Sequence, residues 1–205
     1  MESSLVAKTW IYRGLSDLFF AFECDDWAFE DHERFSEIMG LEKFLKAVLL
    51  AEMRGEYEGL PNDQAKTLLN KLAMKIGHDF DRMLRDVANA GCGDIEQIKN
   101  TEFDGYQGSA LVKALKAGYM ETRYPVPSAI ADEFPIEGTE LTHDPLASSG
   151  ITKFIYALCN SCFFHLAQGI DFSPMMQQFN KDYGHRPGLQ RFSNLFWEER
   201  CEQYL

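Results

Sequence analysis

Apolar residues recur at helical spacing through most of this chain. Ile11, Leu15, Leu18, Phe19 and Phe22 fall on one stripe and predict a helix over about 4–24. An acidic stretch, Asp25 to Asp31, carries Trp27 and Phe29 and interrupts the pattern, with Asp31 placed to cap the next helix. Leu41, Phe44, Leu45, Val48 and Leu49 then predict a helix from about His32 to Met53. Gly55, Gly59 and Pro61 mark a loop. A third stripe, Ala65, Leu68, Leu69, Leu72, Ala73 and Ile76, closes at Gly77, and a fourth, Phe80 to Ala88, ends at Gly91 and Gly93. Asp94 with Gln97 has the spacing of a capping box for a short helical turn.

Leu111, Ala114, Leu115, Gly118 and Tyr119 predict a further helix. It must stop before Pro125, because a residue preceding proline disfavours the α region. The segment from Pro125 to Asp144 reads as a long polar loop of the kind that often carries function. Ile151, Phe154, Ile155, Leu158, Cys162 and Leu166 resume the helix, and Tyr156 and Phe163 make its other side apolar too, which predicts a central position. Ser173-Pro174 reads as an N-cap followed by proline at the first helical position, and Phe192, Leu195, Phe196 and Trp197 build a last amphipathic helix. No strand pattern or internal repeat stands out. The expectation is an all-α fold.

Composition adds constraints on partners. Of 205 residues, 16 are Phe, which points to a bulky aromatic core between helices. Lys and Arg number 20 against 32 Asp and Glu, a net charge of −12. Such a chain repels nucleic acid at long range, so contact with a nucleotide or RNA requires a local basic pocket. The first residues lack the pattern of a signal peptide, and no apolar run reaches the length of a membrane span. Five cysteines, an odd number set mostly within helical patterns, read as reduced thiols. Together these predict a cytoplasmic protein with no membrane association.

Three local motifs say more. Glu42-Lys43-Phe44-Leu45-Lys46-Ala47 lies on the second helix, Gly77-His78-Asp79-Phe80 opens the fourth, and Gly118-Tyr119-Met120-Glu121-Thr122-Arg123-Tyr124-Pro125 closes a later one. In this order they resemble the HEPN family (higher eukaryotes and prokaryotes nucleotide-binding), in the branch with a Thr-Arg-Tyr-Pro motif. The likeness covers roughly residues 5–168. It implies an up-and-down antiparallel helical bundle over 1–168, with 169–205 as a C-terminal helical extension packed on the same domain. It also implies homodimers, nucleotide or RNA ligands, and a nucleotidyltransferase-type protein partner. The family's RNA-cleaving toxins carry an Arg separated by four to six residues from a following His, and no Arg in this chain has a His at that spacing. The nearest imitation, Asn160 to His165, puts a neutral amide where the guanidinium belongs. The resemblance therefore points to a non-catalytic binding module. A degenerate ribonuclease using His165 or His78 as base, or a purely structural interaction module, stand as alternatives.

The candidate ligand-binding residues are Arg123, Tyr124, His78 and Asp79. A guanidinium recognises phosphate through paired donors, and a tyrosine ring stacks on a base. Asp79 is equally suited to pair with Arg123 if the two helix ends meet, and it would sit favourably at a helix N-terminus. No cofactor or metal is expected. His78-Asp79 with His32 and Asp144 is a weak phosphohydrolase-like set. Cys159, Cys162 and His165 share a helix face but lack a fourth ligand, and core packing explains them better. The run Lys181 to Pro187, with Arg191, is either a phosphate-contacting surface or a solvated turn. Trp27 and Phe29 read as a partner-docking segment or a lid on the bundle.

Overall fold

A computed structural model describes residues 1–24, 30–123 and 145–198. Within them the chain is an all-α helical bundle. Its helices are α1 (Ser3–Glu23), α2 (Glu30–Glu52), α3 (Arg54–Tyr57), α4 (Asn62–Ile76), α5 (Phe80–Asn89), α6 (Ile95–Asn100), α7 (Gly108–Arg123), α8 (Ser149–Ala167), α9 (Ser173–Tyr183) and α10 (Leu189–Glu198). A 3₁₀ turn, Pro145–Ala147, precedes α8. Among the described residues no helix is long and apolar enough to cross a membrane.

Two helices form the centre. In α8 every residue from Phe154 to Phe163 is buried, as its two-sided apolar pattern predicts. The other is α2, where burial extends to Glu37, Glu42 and Lys46, positions that periodicity alone assigns to a solvent face. Against α2 runs α1, antiparallel, since Gly14 faces Phe44 while Leu18 faces Gly40. A Cβ on Gly40 would meet Leu18 at 2.7 Å and the Gly14 carbonyl oxygen at 3.1 Å. Glycine at this crossing lets the two backbones approach, and Lys43 pairs with Asp17 across the same seam.

The phenylalanines do pack between helices. Phe179 of α9 packs edge-on and Phe192 of α10 packs tilted against Phe19 of α1, at 6.3 and 5.3 Å between ring centroids. Phe196 lies 6.1 Å from Phe44 of α2, and the Asn160 amide of α8 donates to its carbonyl at 2.5 Å. So α9 and α10 join the same core as α1, α2 and α8.

Five local expectations need correction. The loop read from Gly55, Gly59 and Pro61 begins with a helical turn, α3, that contains Gly55. A two-residue hairpin is present, Glu102–Phe103 paired with Tyr106–Gln107. It is too short for alternation to show, and its signal is the Asp104-Gly105 turn, both residues at positive φ. Asp94 makes no side-chain cap on α6, because its backbone already has helical angles. Ser173 is not the cap of α9 but its first residue. Phe172 holds the cap position and the Asp171 carboxylate accepts from the Ser173 N–H at 2.9 Å. Finally, α2 begins at Glu30, so Asp31 falls inside its first turn.

Candidate functional site

The turn between α4 and α5 explains why His78 sits where it does. Gly77 ends α4 at φ 73°, a conformation side chains rarely adopt, and Asp79 starts α5 by accepting the Arg82 N–H at 3.2 Å. Between this stop and start signal, His78 is held out over the bundle. Its ring stacks on Tyr119 of α7, with centroids 4.8 Å apart and planes inclined by 22°. Tyr119 is itself buried, and Phe80 packs edge-on against it at 6.3 Å.

Behind the ring lies the buried charge of α2. Glu42 Oε2 is 2.7 Å from His78 Nδ1, and Glu42 Oε1 accepts from Lys46 Nζ at 2.7 Å. The Glu42 and Lys46 side chains are 4% and 5% exposed, whereas that of His78 is 46% exposed. A carboxylate paired with an ammonium can only accept, so Nδ1 donates to Glu42 and the ring is oriented by that bond. One residue thus links a buried ion pair to a half-exposed imidazole.

Beside this turn a groove of about 310 Å³ runs between α5 and α7, lined by Asp79, Asp81, Arg82, Arg85, Val112, Lys113 and Lys116. Four cations face two carboxylates, the reverse of the balance in the whole chain. Arg82 donates to the Ile76 and Lys75 carbonyls at the end of α4, which closes that helix and fixes one wall. Arg85, Lys113 and Lys116 make no ion pair with the described residues and point positive charge into solvent. A second depression, of about 360 Å³, lies along α4 between Leu60 and Lys71 and gathers no comparable chemistry.

Of the four sequence-predicted site residues, His78 and Asp79 are adjacent to the groove, Asp79 as part of its wall. Arg123 ends α7, but its side chain, like Tyr124, lies outside the described residues. His78 touches α7 at Tyr119, one turn before Arg123. Sequence reasoning missed Glu42, Lys46 and the groove cations. The available signal was Glu42 and Lys46 at i, i+4 within the stretch Ile38 to Ala51, where Lys43 is the one other charged residue.

Several of the remaining candidates resolve into packing. Asn160 is fully buried and bonded to α10, so the Asn160 to His165 imitation does not form a solvent-facing pair. Cys92, in the α5–α6 loop, lies with its sulfur 3.0 Å from the Ser161 hydroxyl and hydrogen-bonds with Cys162. His32 is exposed, and no group of three or more metal-ligating side chains occurs among the described residues. In the 181–187 run Tyr183 packs on Phe19 and Phe179, and Asp182 accepts from Tyr12 at 2.5 Å, leaving His185 and Arg186 in solvent. Arg191 lies over the Phe22 ring at 5.6 Å. Trp27, Phe29 and the 125–144 segment lie outside the described residues. Comparison with protein-family models, curated proteins and solved structures returns no significant match.

Proposed function

We propose that this chain is a non-catalytic, HEPN-like module that binds a nucleotide or RNA in the α5–α7 groove, as a homodimer working with a nucleotidyltransferase-type partner. The observation that carries the reading is the groove itself. In a chain of net charge −12, Arg85, Lys113 and Lys116 gather with Arg82 along one groove, without an ion pair among the described residues. That is the local basic pocket an acidic protein needs before it can hold phosphate. The order of the Lys-Ala, His-Asp and Thr-Arg-Tyr-Pro motifs adds support, as does the buried position of Asn160, which speaks against the toxin-type site.

The test is calorimetric titration of the wild type and of a Lys113→Glu/Lys116→Glu variant with tripolyphosphate and with a short single-stranded RNA. Binding that weakens with salt and falls at least tenfold in the variant is expected. Equal binding by both proteins, or none by the wild type, would remove the groove from consideration. Sedimentation of the purified chain tests the homodimer.

A second reading is favoured by the Glu42–His78 bond. An imidazole oriented by a carboxylate is the arrangement of a general base. Here it would take the proton of a ribose 2′-hydroxyl as that oxygen bonds to phosphorus, while the 5′-oxygen leaves and is protonated by solvent. RNA recovered intact after prolonged incubation with the protein would exclude it.

A further inference from the structure

Resting on the groove reading, we infer that the ligand is a nucleoside phosphate whose base stacks on the outer face of His78 while its phosphate lies among Lys113, Lys116 and Arg85. The inner face of the His78 ring is backed by Tyr119, and that ring is buried and braced by Phe80. The imidazole edge is anchored by Glu42, which is held in turn by Lys46. The plane of His78 is therefore fixed from beneath and from one edge, while nearly half of the side chain is exposed. An oriented, solvent-exposed π face is what a base needs for stacking, and its tolerance of base identity follows because every base has such a face.

Position supplies the second half of the argument. Tyr119 follows Lys116 by three residues on α7, so their Cβ atoms are about 5–6 Å apart on one helix face. The next residue after His78 is Asp79, which already lines the groove. The platform and the cations thus adjoin along α7 and the start of α5, as a base and its own phosphate require. The Asp79 carboxylate at the junction is suited to accept from a ribose hydroxyl. A bare polyphosphate would use the cations and leave the platform empty; an apolar ring without phosphate would use only the platform.

The test compares tripolyphosphate, ATP and an eight-nucleotide single-stranded RNA on the wild type, His78→Ala and His78→Phe, with thermal melts to confirm folding. The wild type is expected to prefer ATP or the RNA to tripolyphosphate by about tenfold, in line with one stacked base. His78→Ala should lose that preference while keeping its tripolyphosphate affinity, and His78→Phe should retain it. Preference for ATP would assign a free nucleotide as the source and preference for the RNA a strand; either supports the inference. If tripolyphosphate binds as tightly as both, or His78→Ala keeps the preference, the platform is wrong although the groove stands. If none of the three binds, groove and platform fall together.

Discussion

Glu42 Oε2 and His78 Nδ1 lie 2.7 Å apart, joining a buried charge of α2 to a ring on the surface. The same carboxylate holds Lys46, and both members of that pair are about 95% removed from solvent by their side-chain exposures of 4% and 5%. Buried ion pairs add little net stability over an apolar replacement, because desolvation offsets the attraction. Removing one partner is a different matter, since it strands the other charge.

Glu42→Ala should therefore destabilise the protein by about 3 kcal/mol or more. The Glu42→Ala/Lys46→Met double variant should recover much of that loss, and His78→Ala should cost about 1 kcal/mol or less because its ring is half in water. Urea unfolding of the three variants checks the ordering. A double variant no better than Glu42→Ala would mean that Lys46 is not stranded by the loss of its partner.

The Gly14–Gly40 crossing makes a second expectation. In open helix, alanine is better than glycine by about 1 kcal/mol. At Gly40 the added Cβ would press on Leu18, which is fully buried, and on the backbone oxygen of Gly14, so neither neighbour can yield freely. Overpacking of this kind costs about 1–3 kcal/mol, which exceeds the propensity gain. Gly40→Ala should lower the melting temperature. Gly55→Ala, where nothing lies within 4 Å, should leave it unchanged or raise it.

These two relationships mark the limit of what is legible in the sequence. Stripes such as Leu41, Phe44, Leu45, Val48 and Leu49 locate the helices to within a few residues, because burial of one helical face depends only on spacing. The same rule assigns Glu42 and Lys46 to solvent, since periodicity reads a charged residue as exposed whether or not a partner neutralises it. His78 and Asp79 stand out by their place between Gly77 and Phe80. The groove does not, because Arg85 and Lys113 are far apart in the sequence and adjacent only once α5 packs on α7. The hairpin escapes for the opposite reason: two residues a strand are too few for any period.

Asp104 at the hairpin turn offers a pH-dependent test. Hydrogen bonds from Lys153, at 2.7 Å, and then Ser149 hold its carboxyl below the ordinary value of 3.8. A depressed carboxyl stabilises the fold fully above that ordinary value and loses the contribution as pH falls toward and through the folded one. The wild type should therefore lose melting temperature more steeply than Asp104→Asn below about pH 4, since asparagine tolerates the turn's φ of 48° but has no charge to lose. Parallel curves for the two proteins would show that the clamp from the hairpin to α8 does not form in solution.

The cysteines should differ in reactivity for reasons that exposure alone does not give, since Cys92 and Cys159 are both buried. Hydrogen bonding with Cys162, and then with Ser161, holds the Cys92 thiol below the ordinary thiol range against the opposing effect of burial. Burial, reinforced by Glu37, pushes Cys159 well up. The thiolate is the nucleophile, so at neutral pH Cys92 has the larger reactive fraction. Reagent reaches either sulfur only through local opening, and the loop of Gly91, Cys92 and Gly93 opens at less cost than the middle of α8. Iodoacetamide should thus modify Cys92 before Cys159, as read by peptide mass spectrometry, and Cys162→Ala should slow the Cys92 reaction. Equal rates at the two sites, or a rate at Cys92 indifferent to Cys162, would show that global unfolding governs access and that the thiol pair has no influence on it.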